Sequence, residues 1–384
     1  MTGARSAPAS GPNGDRQTEE LLVPVSIELA PIRQLLVIDI TDDPTYRALE
    51  PQVLQRPDGR FGLVLLAYRH DDRVELYADA GVEVDATGYD GLGQGLTGIH
   101  RTAFLPACFE VTASGLRVDI GFDAPNGRRI ELHLHEHLTG GRDGFAALAP
   151  VGGAFTDPGF FPFLWLPSLS FVPVRGTQVR VRIDGKDRTI GRLPIPVGGR
   201  RCLMARYDPH IMVCQVNPTS STHAFRVSAD GIGTSDTAPL EIDVCEADGR
   251  PAIGGVSVRR GQHVCGLRLH PPLPDLRRLP VGTPVEGAIV LEADGAAQVR
   301  GSYRVARRAD RVELSIDRFG PWRTRQRRPL LALLFRIPTF RRWPTTYRWE
   351  ATMALTDPPS LRSRWLRQAA EHPSPSRHTS ADTG

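Results

Sequence analysis

Residues 116–138 read LRVDIGFDAPNGRRIELHLHEHL, and the fold class follows from their pattern. Apolar and polar residues alternate in Leu116–Asp123 and again in Arg128–Leu138, which is the period of a β-strand with one buried face. The tetrapeptide between the two runs, Ala124-Pro125-Asn126-Gly127, consists of turn-forming residues. This part of the chain therefore predicts a β-hairpin.

The same alternation recurs along the chain. It predicts a hairpin of Val179–Ile183 with Arg188–Leu193, and another of Arg201–Tyr207 with His210–Val216 around Asp208-Pro209. Later strand-like runs are Leu240–Cys245, Val264–Leu269, Gly287–Glu292, Gln298–Val305, Val312–Asp317 and Tyr347–Leu355. Helical periodicity is nearly absent, with Ser360–Ala370 as the one candidate helix of more than a few residues. With roughly eighteen strands, the sequence predicts an all-β protein of two antiparallel sheets or barrels in tandem.

Composition shifts suggest the domain boundaries. We expect a disordered leader at 1–20, an N-terminal β domain at 21–217 and a C-terminal β domain at 239–356. The connection at 218–238 is rich in Gly, Ser, Thr and Asp, and the tail at 357–384 is polar and proline-containing, so we expect that tail to be disordered.

Composition also excludes several classes of protein. A hydrophobic content of 40% with 23% charged residues is typical of globular domains. No apolar stretch approaches the roughly 18 residues of a transmembrane helix, and the N-terminus lacks the apolar segment of a secretory signal, so we expect a cytoplasmic protein. The five cysteines form no CxxC pair and indicate free thiols, although a Cys202–Cys214 disulfide stays open. The net charge of +4 gives no signature of nucleic-acid binding.

Three histidines follow one another on one face of the second hairpin strand. Strand alternation places Glu131 with the candidate catalytic residues His133, His135 and His137 on one side, and the apolar residues on the other. Imidazoles can act as acid or base, and an H-x-H strand can also ligate a metal, so a metal-dependent enzyme is one alternative. A second alternative is a solvent-exposed face, since the apolar side most naturally marks the core. A third is a polar lining of a barrel interior, in which the histidines act as acid, base or ligand donor. No cofactor is predicted beyond this.

A proline-broken stretch concentrates aromatic residues. Residues 153–171 read GAFTDPGFFPFLWLPSLSF and supply the candidate ligand-binding residues Phe160, Phe161, Phe163 and Trp165. Such a stretch can line a pocket for an apolar ligand, or it can plug the core. The sequence leaves both interpretations open, and both bury the aromatic rings.

The strongest local charge signal lies near the C-terminus. Between Arg318 and Arg348 the chain has nine arginines, interleaved with aromatic residues, and no acidic residue. This pattern suits peripheral contact with an anionic membrane, although a solvated face over ordinary core would give the same sequence. The candidate anion-binding or membrane-binding residues are Arg323, Arg325, Arg327, Arg328, Arg341 and Arg342.

The runs Gly301–Val305 (GSYRV), Arg311–Ser315 (RVELS) and Tyr347–Glu350 (YRWE), together with the tandem sheet-rich layout, resemble the lipocalin-like carotenoid hydratases (hydroxyneurosporene synthase) and AttH-like proteins. The resemblance implies two calycin-type barrels around an apolar ligand, with chemistry supplied by a few polar groups in the cavity. It transfers no catalytic residue to this chain. We therefore expect a binding protein or enzyme for a hydrophobic, isoprenoid or lipid-like small molecule. A peripheral membrane-docking protein is the alternative from another class, and the sequence leaves open whether the protein is an enzyme.

Overall fold

The computed structural model describes residues 20–84, 95–137, 144–150, 157–218, 225–227, 240–324, 332, 336–337 and 341–367. In chain order its strands are β1 Leu21–Val23, β2 Ile27–Leu29, β3 Ile32–Asp39, β4 Tyr46–Gln55, β5 Phe61–Arg69, β6 Val74–Asp79, β7 Leu96–Thr102, β8 Ala107–Thr112, β9 Gly115–Asp123, β10 Arg129–Glu136, β11 Phe145–Leu148, β12 Phe161–Pro173, β13 Thr177–Ile183, β14 Lys186–Arg188, β15 Cys202–Asp208, β16 Met212–Val216, β17 Phe225–Val227, β18 Leu240–Ala247, β19 Arg250–Arg260, β20 His263–Pro274, β21 Pro284–Ala293, β22 Ala297–Arg307, β23 Arg311–Phe319, β24 Arg323–Thr324, β25 Tyr347–Ala354 and β26 Ser360–Arg367. Short 3-10 turns occupy Leu276–Arg278 and Trp343–Thr346. The all-β prediction is confirmed.

The described strands form four sheets. A ten-stranded sheet has the order β2-β16-β12-β15-β3-β4-β5-β6-β7, with β11 beside β12. A five-stranded sheet has the order β14-β13-β10-β9-β8, and β1 pairs with β17. A nine-stranded sheet of the C-terminal half has the order β18-β19-β20-β21-β22-β23-β25-β26, with β24 beside β22. The pairing is antiparallel throughout these ladders except between β6 and β7.

The predicted hairpin of β9 and β10 is confirmed, and it builds a β-sandwich. Phe122 lies opposite Ile130 across the two strands. The apolar face of this pair, with Leu132 and Leu134 fully buried, packs in one core cluster with Leu36 and Ile38 of the ten-stranded sheet. The hairpin predicted from Val179–Ile183 and Arg188–Leu193 is also present as β13 and β14, but its second strand is the short run Lys186–Arg188, which begins inside the predicted turn.

The hairpin predicted around Asp208-Pro209 is wrong. In the described residues β15 and β16 do not fold back on each other, because both pair with β12. Phe161 lies opposite Val216. Further along the same strand, and in the same register, Ser170 lies opposite Tyr207. The two strands are therefore successive parts of one long strand.

Prolines mark the break in this long strand and in its neighbours. Pro31 separates β2 from β3, Pro209 separates β15 from β16, and Pro167 lies in the part of β12 between its two pairings. Proline has no N–H to donate to a ladder, so the hydrogen bonding is interrupted there. At this break the carboxylate of Asp208 replaces a missing ladder partner, because it accepts a hydrogen bond from the backbone N–H of Ser168 at 2.8 Å.

Arg260 provides hydrogen-bond donors for carbonyl groups at the same break. It is the last residue of β19 in the nine-stranded sheet, and its Nη1 donates to the carbonyl oxygens of Ile32 at 2.5 Å and Ile211 at 2.7 Å. Its Nη2 donates to the carbonyl oxygen of Ala30 at 2.9 Å. Burial of the guanidinium lowers the pKa of Arg260 to about 10. One side chain of the C-terminal half thus provides partners for three carbonyl groups at the break.

The two halves also share one continuous apolar core. The ring of Phe161, on β12, lies 4.5 Å from the ring of Phe319 and 5.5 Å from that of Trp343, measured between centroids. The Nε1 of Trp165 donates to Asp294 of the nine-stranded sheet at 2.7 Å. The ten-stranded sheet therefore uses one face for the sandwich and the other for the C-terminal half.

Two of the predicted boundary segments contain regular structure. The connection predicted at 218–238 includes β17, which pairs with β1. The tail predicted to be disordered at 357–384, also considered as a helix over Ser360–Ala370, instead forms β26 at Ser360–Arg367. Trp365 is fully buried, and its Nε1 donates to the carbonyl oxygen of Val216 at 3.1 Å. Residues 1–19 and 368–384 lie outside the described part of the chain.

Candidate functional site

A cavity of about 730 Å³ opens on the face of the ten-stranded sheet that does not contact the sandwich. Its wall is mostly apolar and comes from strands β3, β4, β5, β11, β12 and β15. The apolar lining includes Leu35, Val37, Phe145, Leu148, Leu164, Leu166, Leu169, Phe171 and Ile211. This volume is within the range of about 300 to 1,000 Å³ that is usual for small-molecule sites.

Five polar side chains line the rest of the wall, namely Asp39, Arg47, Glu50, Tyr68 and Arg206. They come together because strand pairing aligns alternate residues of β3, β4, β5 and β15 on one face. Arg206 lies opposite Val37, Asp39 lies opposite Ala48, and Ala48 lies opposite Tyr68. A mostly apolar cavity with a few convergent polar groups is the usual composition of a ligand site.

Glu50 is the buried centre of this polar set. Its Oε1 accepts a hydrogen bond from Gln52 Nε2 at 2.7 Å, and its Oε2 accepts one from the Tyr68 hydroxyl at 2.8 Å. Burial raises the pKa of Glu50, although these two hydrogen bonds act in the opposite direction. Burial also raises the pKa of Tyr68 well above its ordinary value, so Tyr68 stays protonated.

The two arginines of the cavity wall already have acidic partners. Arg206 Nη1 lies 3.1 Å from the Asp39 carboxylate, and Arg47 lies 3.4 Å from that of Asp72. None of these polar residues is among the site residues predicted from the sequence. A signal was present in β4, where Glu50 and Gln52 lie between the apolar residues Ala48 and Leu54 of one face, but it does not show that the face meets a cavity.

The predicted catalytic histidines lie elsewhere, on the outer face of the five-stranded sheet. His133 Nδ1 lies 3.0 Å from Asp119 Oδ1, and His135 Nε2 lies 2.9 Å from the same oxygen. The side chains of His133 and His135 are 42% and 37% exposed, and His137 is exposed as well. Since the opposite face of β10 packs into the sandwich, the histidines do not line the cavity. The histidines therefore lie on a solvent-facing side of the sheet, as in the alternative of a solvent-exposed face.

Asp119 is the common partner of the histidine pair. Burial acts to raise its pKa, but hydrogen bonds from His133, His135 and Arg117 outweigh that effect and lower the pKa to about 2. Within the described residues, no group of three or more His, Cys, Asp or Glu side chains has an arrangement that could hold a metal ion. The metal-dependent alternative thus gains no support from this strand.

The predicted ligand-binding aromatics are core residues. Phe160, Phe161, Phe163 and Trp165 are all buried. Phe161 and Trp165 contact the nine-stranded sheet, as described above. The neighbouring positions Leu164 and Leu166 of the same strand line the cavity instead. The stretch contributes to the site through Leu164, Leu166, Leu169 and Phe171, and not through the four predicted aromatics.

The arginine-rich segment is only partly described. Arg323, Arg341 and Arg342 are exposed, whereas Arg325, Arg327 and Arg328 lie outside the described residues. The aromatic residues interleaved with them that the structure describes, Phe319, Trp322, Trp343 and Tyr347, are buried. They are therefore not available for insertion into a membrane.

Among the described residues, no helix has the length and apolar character needed to cross a membrane. The five cysteines are free, so the Cys202–Cys214 disulfide is not formed. The chain matches no family model, no curated protein and no solved structure. The resemblance to carotenoid hydratases and AttH-like proteins accordingly stays a prediction.

Proposed function

We propose that the protein binds a hydrophobic small molecule in the cavity of the ten-stranded sheet, as a carrier or as an enzyme. The observation that supports this function is the placement of a buried, hydrogen-bonded carboxyl group, Glu50, in the wall of a mostly apolar cavity of about 730 Å³. Keeping such a group at the core carries a desolvation cost. A recognition or catalytic role for Glu50 would account for its retention.

Glu50 is also the candidate acid if chemistry follows binding. A carboxyl group whose pKa is raised by burial can remain protonated closer to neutral pH and can donate its proton to a bound molecule. The resemblance to carotenoid hydratases suggests an isoprenoid substrate and addition of water. In this proposal Glu50 replaces the histidines of β10 as the catalytic candidate.

Membrane docking receives less support. The exposed residues Arg323, Arg341 and Arg342 would favour contact with an anionic surface, but the adjacent aromatic rings are buried in the core. Contact through these arginines alone would be electrostatic and would weaken strongly with added salt.

Native mass spectrometry of the freshly purified protein tests the proposal, together with titration of the apolar dye Nile red. We expect a retained organic mass, or saturable dye binding, that Ala149→Trp weakens at least tenfold by filling the cavity. Ala306→Trp, at a half-buried position of β22 outside the cavity wall, is the control and should bind as the wild type does. Equal loss in both variants, or no binding by a folded wild type, would reject the cavity as the site.

A further inference from the structure

The polar end of the cavity restricts the chemistry of the ligand. Its charged groups are Asp39, Arg47, Glu50 and Arg206, of which Arg206 is paired with Asp39 and Arg47 with Asp72. The remaining charge is that of Glu50, whose two hydrogen-bond donors, Gln52 and Tyr68, are neutral, and Arg206, which also attracts the Glu50 carboxylate, is shared with Asp39. The polar end therefore has no excess positive charge.

This balance disfavours an anionic ligand. A carboxylate or phosphate placed beside Glu50 would meet a like charge when Glu50 is ionised, and it would be desolvated without a cationic partner of its own. Taking Arg206 from Asp39 would only transfer the unpaired charge to Asp39. A fatty acid, whose buried carboxylate needs a cationic partner, does not fit this arrangement.

A neutral hydroxyl group fits it in both protonation states of Glu50. Each carboxylate oxygen has two lone-pair positions, and one on each oxygen is used by Gln52 and by Tyr68. An ionised Glu50 can accept a hydrogen bond from a ligand hydroxyl, whereas a protonated Glu50 can donate one to it. A hydrocarbon offers neither interaction, and an ammonium group fits only the ionised state, at a larger desolvation cost.

We propose that the cavity selects neutral apolar alcohols, whose hydroxyl group hydrogen-bonds to Glu50 while the hydrocarbon part lies against the apolar wall. This inference rests on the proposed function and specifies its ligand class. Glu50 and Tyr68 are then the residues that determine specificity, because the Tyr68 hydroxyl fixes the orientation of the Glu50 carboxyl group.

Displacement of Nile red by dodecan-1-ol, dodecanoate and dodecylammonium tests the inference at neutral pH, with the alcohol below its solubility limit and the two ions below their micelle-forming concentrations. We expect dodecan-1-ol to bind at least tenfold more tightly than the other two. Glu50→Leu should abolish this preference, and Tyr68→Phe should reduce it, while Nile red itself still binds. The second variant keeps the test informative if the first does not fold.

Glu75→Gln is the matched control. Glu75 is also a buried carboxyl group hydrogen-bonded by tyrosine hydroxyls, those of Tyr46 and Tyr77 at 2.6 Å each, but it lies outside the cavity wall. It should leave the preference for the alcohol unchanged. Tighter binding of dodecanoate or dodecylammonium, or an unchanged preference in folded Glu50→Leu, would overturn the inference and leave cavity binding intact. Failure of the dye and all three compounds to bind folded protein would overturn the proposed function as well.

Discussion

Arg260 donates a hydrogen bond of 2.7 Å to the carbonyl oxygen of Ile211, which lies in the other half of the molecule. The same guanidinium contacts the carbonyl oxygens of Ala30 and Ile32. Because these carbonyls lie where prolines interrupt the ladders, the arginine satisfies groups that would otherwise be buried without a partner.

Replacing this arginine should be costly. We expect Arg260→Met to lower the free energy of unfolding by about 3 kcal/mol or more, since it removes three hydrogen bonds from a charged donor. Chemical denaturation measures the effect. Arg259→Met is the control, because Arg259 is paired with Glu241 at the surface and its loss should leave stability close to that of the wild type. Similar costs for the two variants would contradict the role given to Arg260.

Asp208 should make stability depend on pH. Burial raises its pKa from 3.8 to about 6 in the folded protein. The native state therefore retains a proton that the unfolded chain has released, and the contribution of Asp208 falls as pH rises between about 4 and 6. The loss is on the order of 3 kcal/mol at about 1.4 kcal/mol per pKa unit. The difference in unfolding free energy between wild type and Asp208→Asn, measured across this range, should decline with pH.

Asp187 provides the contrasting control for this titration. Its hydrogen bond with Arg180 lowers its pKa, so its contribution is present above the unfolded value and is lost in acid. The pH slope of Asp187→Asn against wild type should thus have the opposite sign. A flat profile for Asp208→Asn would mean that Asp208 titrates normally in the fold.

Phe161 and Leu164, three positions apart on β12, should separate core from cavity. We expect Phe161→Ala to cost about 3 to 5 kcal/mol, because the ring is fully buried against Phe319 and Trp343, with little change in dye affinity of the folded fraction. Leu164→Ala should weaken dye binding, since Leu164 lines the cavity. Stability and dye affinity, measured for both variants, check these expectations. A loss of dye binding without loss of stability in Phe161→Ala would show that Phe161 is a ligand-binding residue.

The histidine pair should be dispensable for binding. We expect His133→Gln with His135→Gln to leave Nile red affinity within about twofold of wild type and to cost less than about 1 kcal/mol of stability, because both rings are half-exposed on the far side of the sandwich. Titration and denaturation of the double variant measure the two quantities. A large loss of binding would restore the histidines as site residues.

Local pattern carried most of the fold prediction. Alternation in Leu116–Asp123 and in the later runs identified strands, because a two-residue period is a local property of a sheet with one buried face. The choice of partner strand is not a local property. The sequence therefore predicts a hairpin of β15 and β16, whereas both strands pair with β12 and not with each other. The strand at Ser360–Arg367 is not predicted from the sequence, because polar residues dominate its composition. Its fully buried residue, Trp365, attaches the strand to the core.

The candidate site was less accessible from sequence. The histidines and arginines form recognisable sequence patterns, whereas Glu50 is a single carboxyl group in a strand of mixed composition. Its importance depends on Tyr68 on β5 and Arg206 on β15, which reach the same cavity only through strand pairing. Which face of a strand meets a cavity is decided by tertiary packing and is not encoded in the period of the strand.

The proline-interrupted strands have a consequence for how the molecule unfolds. Because β12 and the two strand pairs beside it continue through the break, the same segments of chain serve the sandwich on one side and the C-terminal sheet on the other. Separating the two halves would break the hydrogen bonds between them and expose the apolar residues of each half to water. We therefore expect the two halves to melt as one cooperative unit, and the N-terminal half expressed alone to lack autonomous stability.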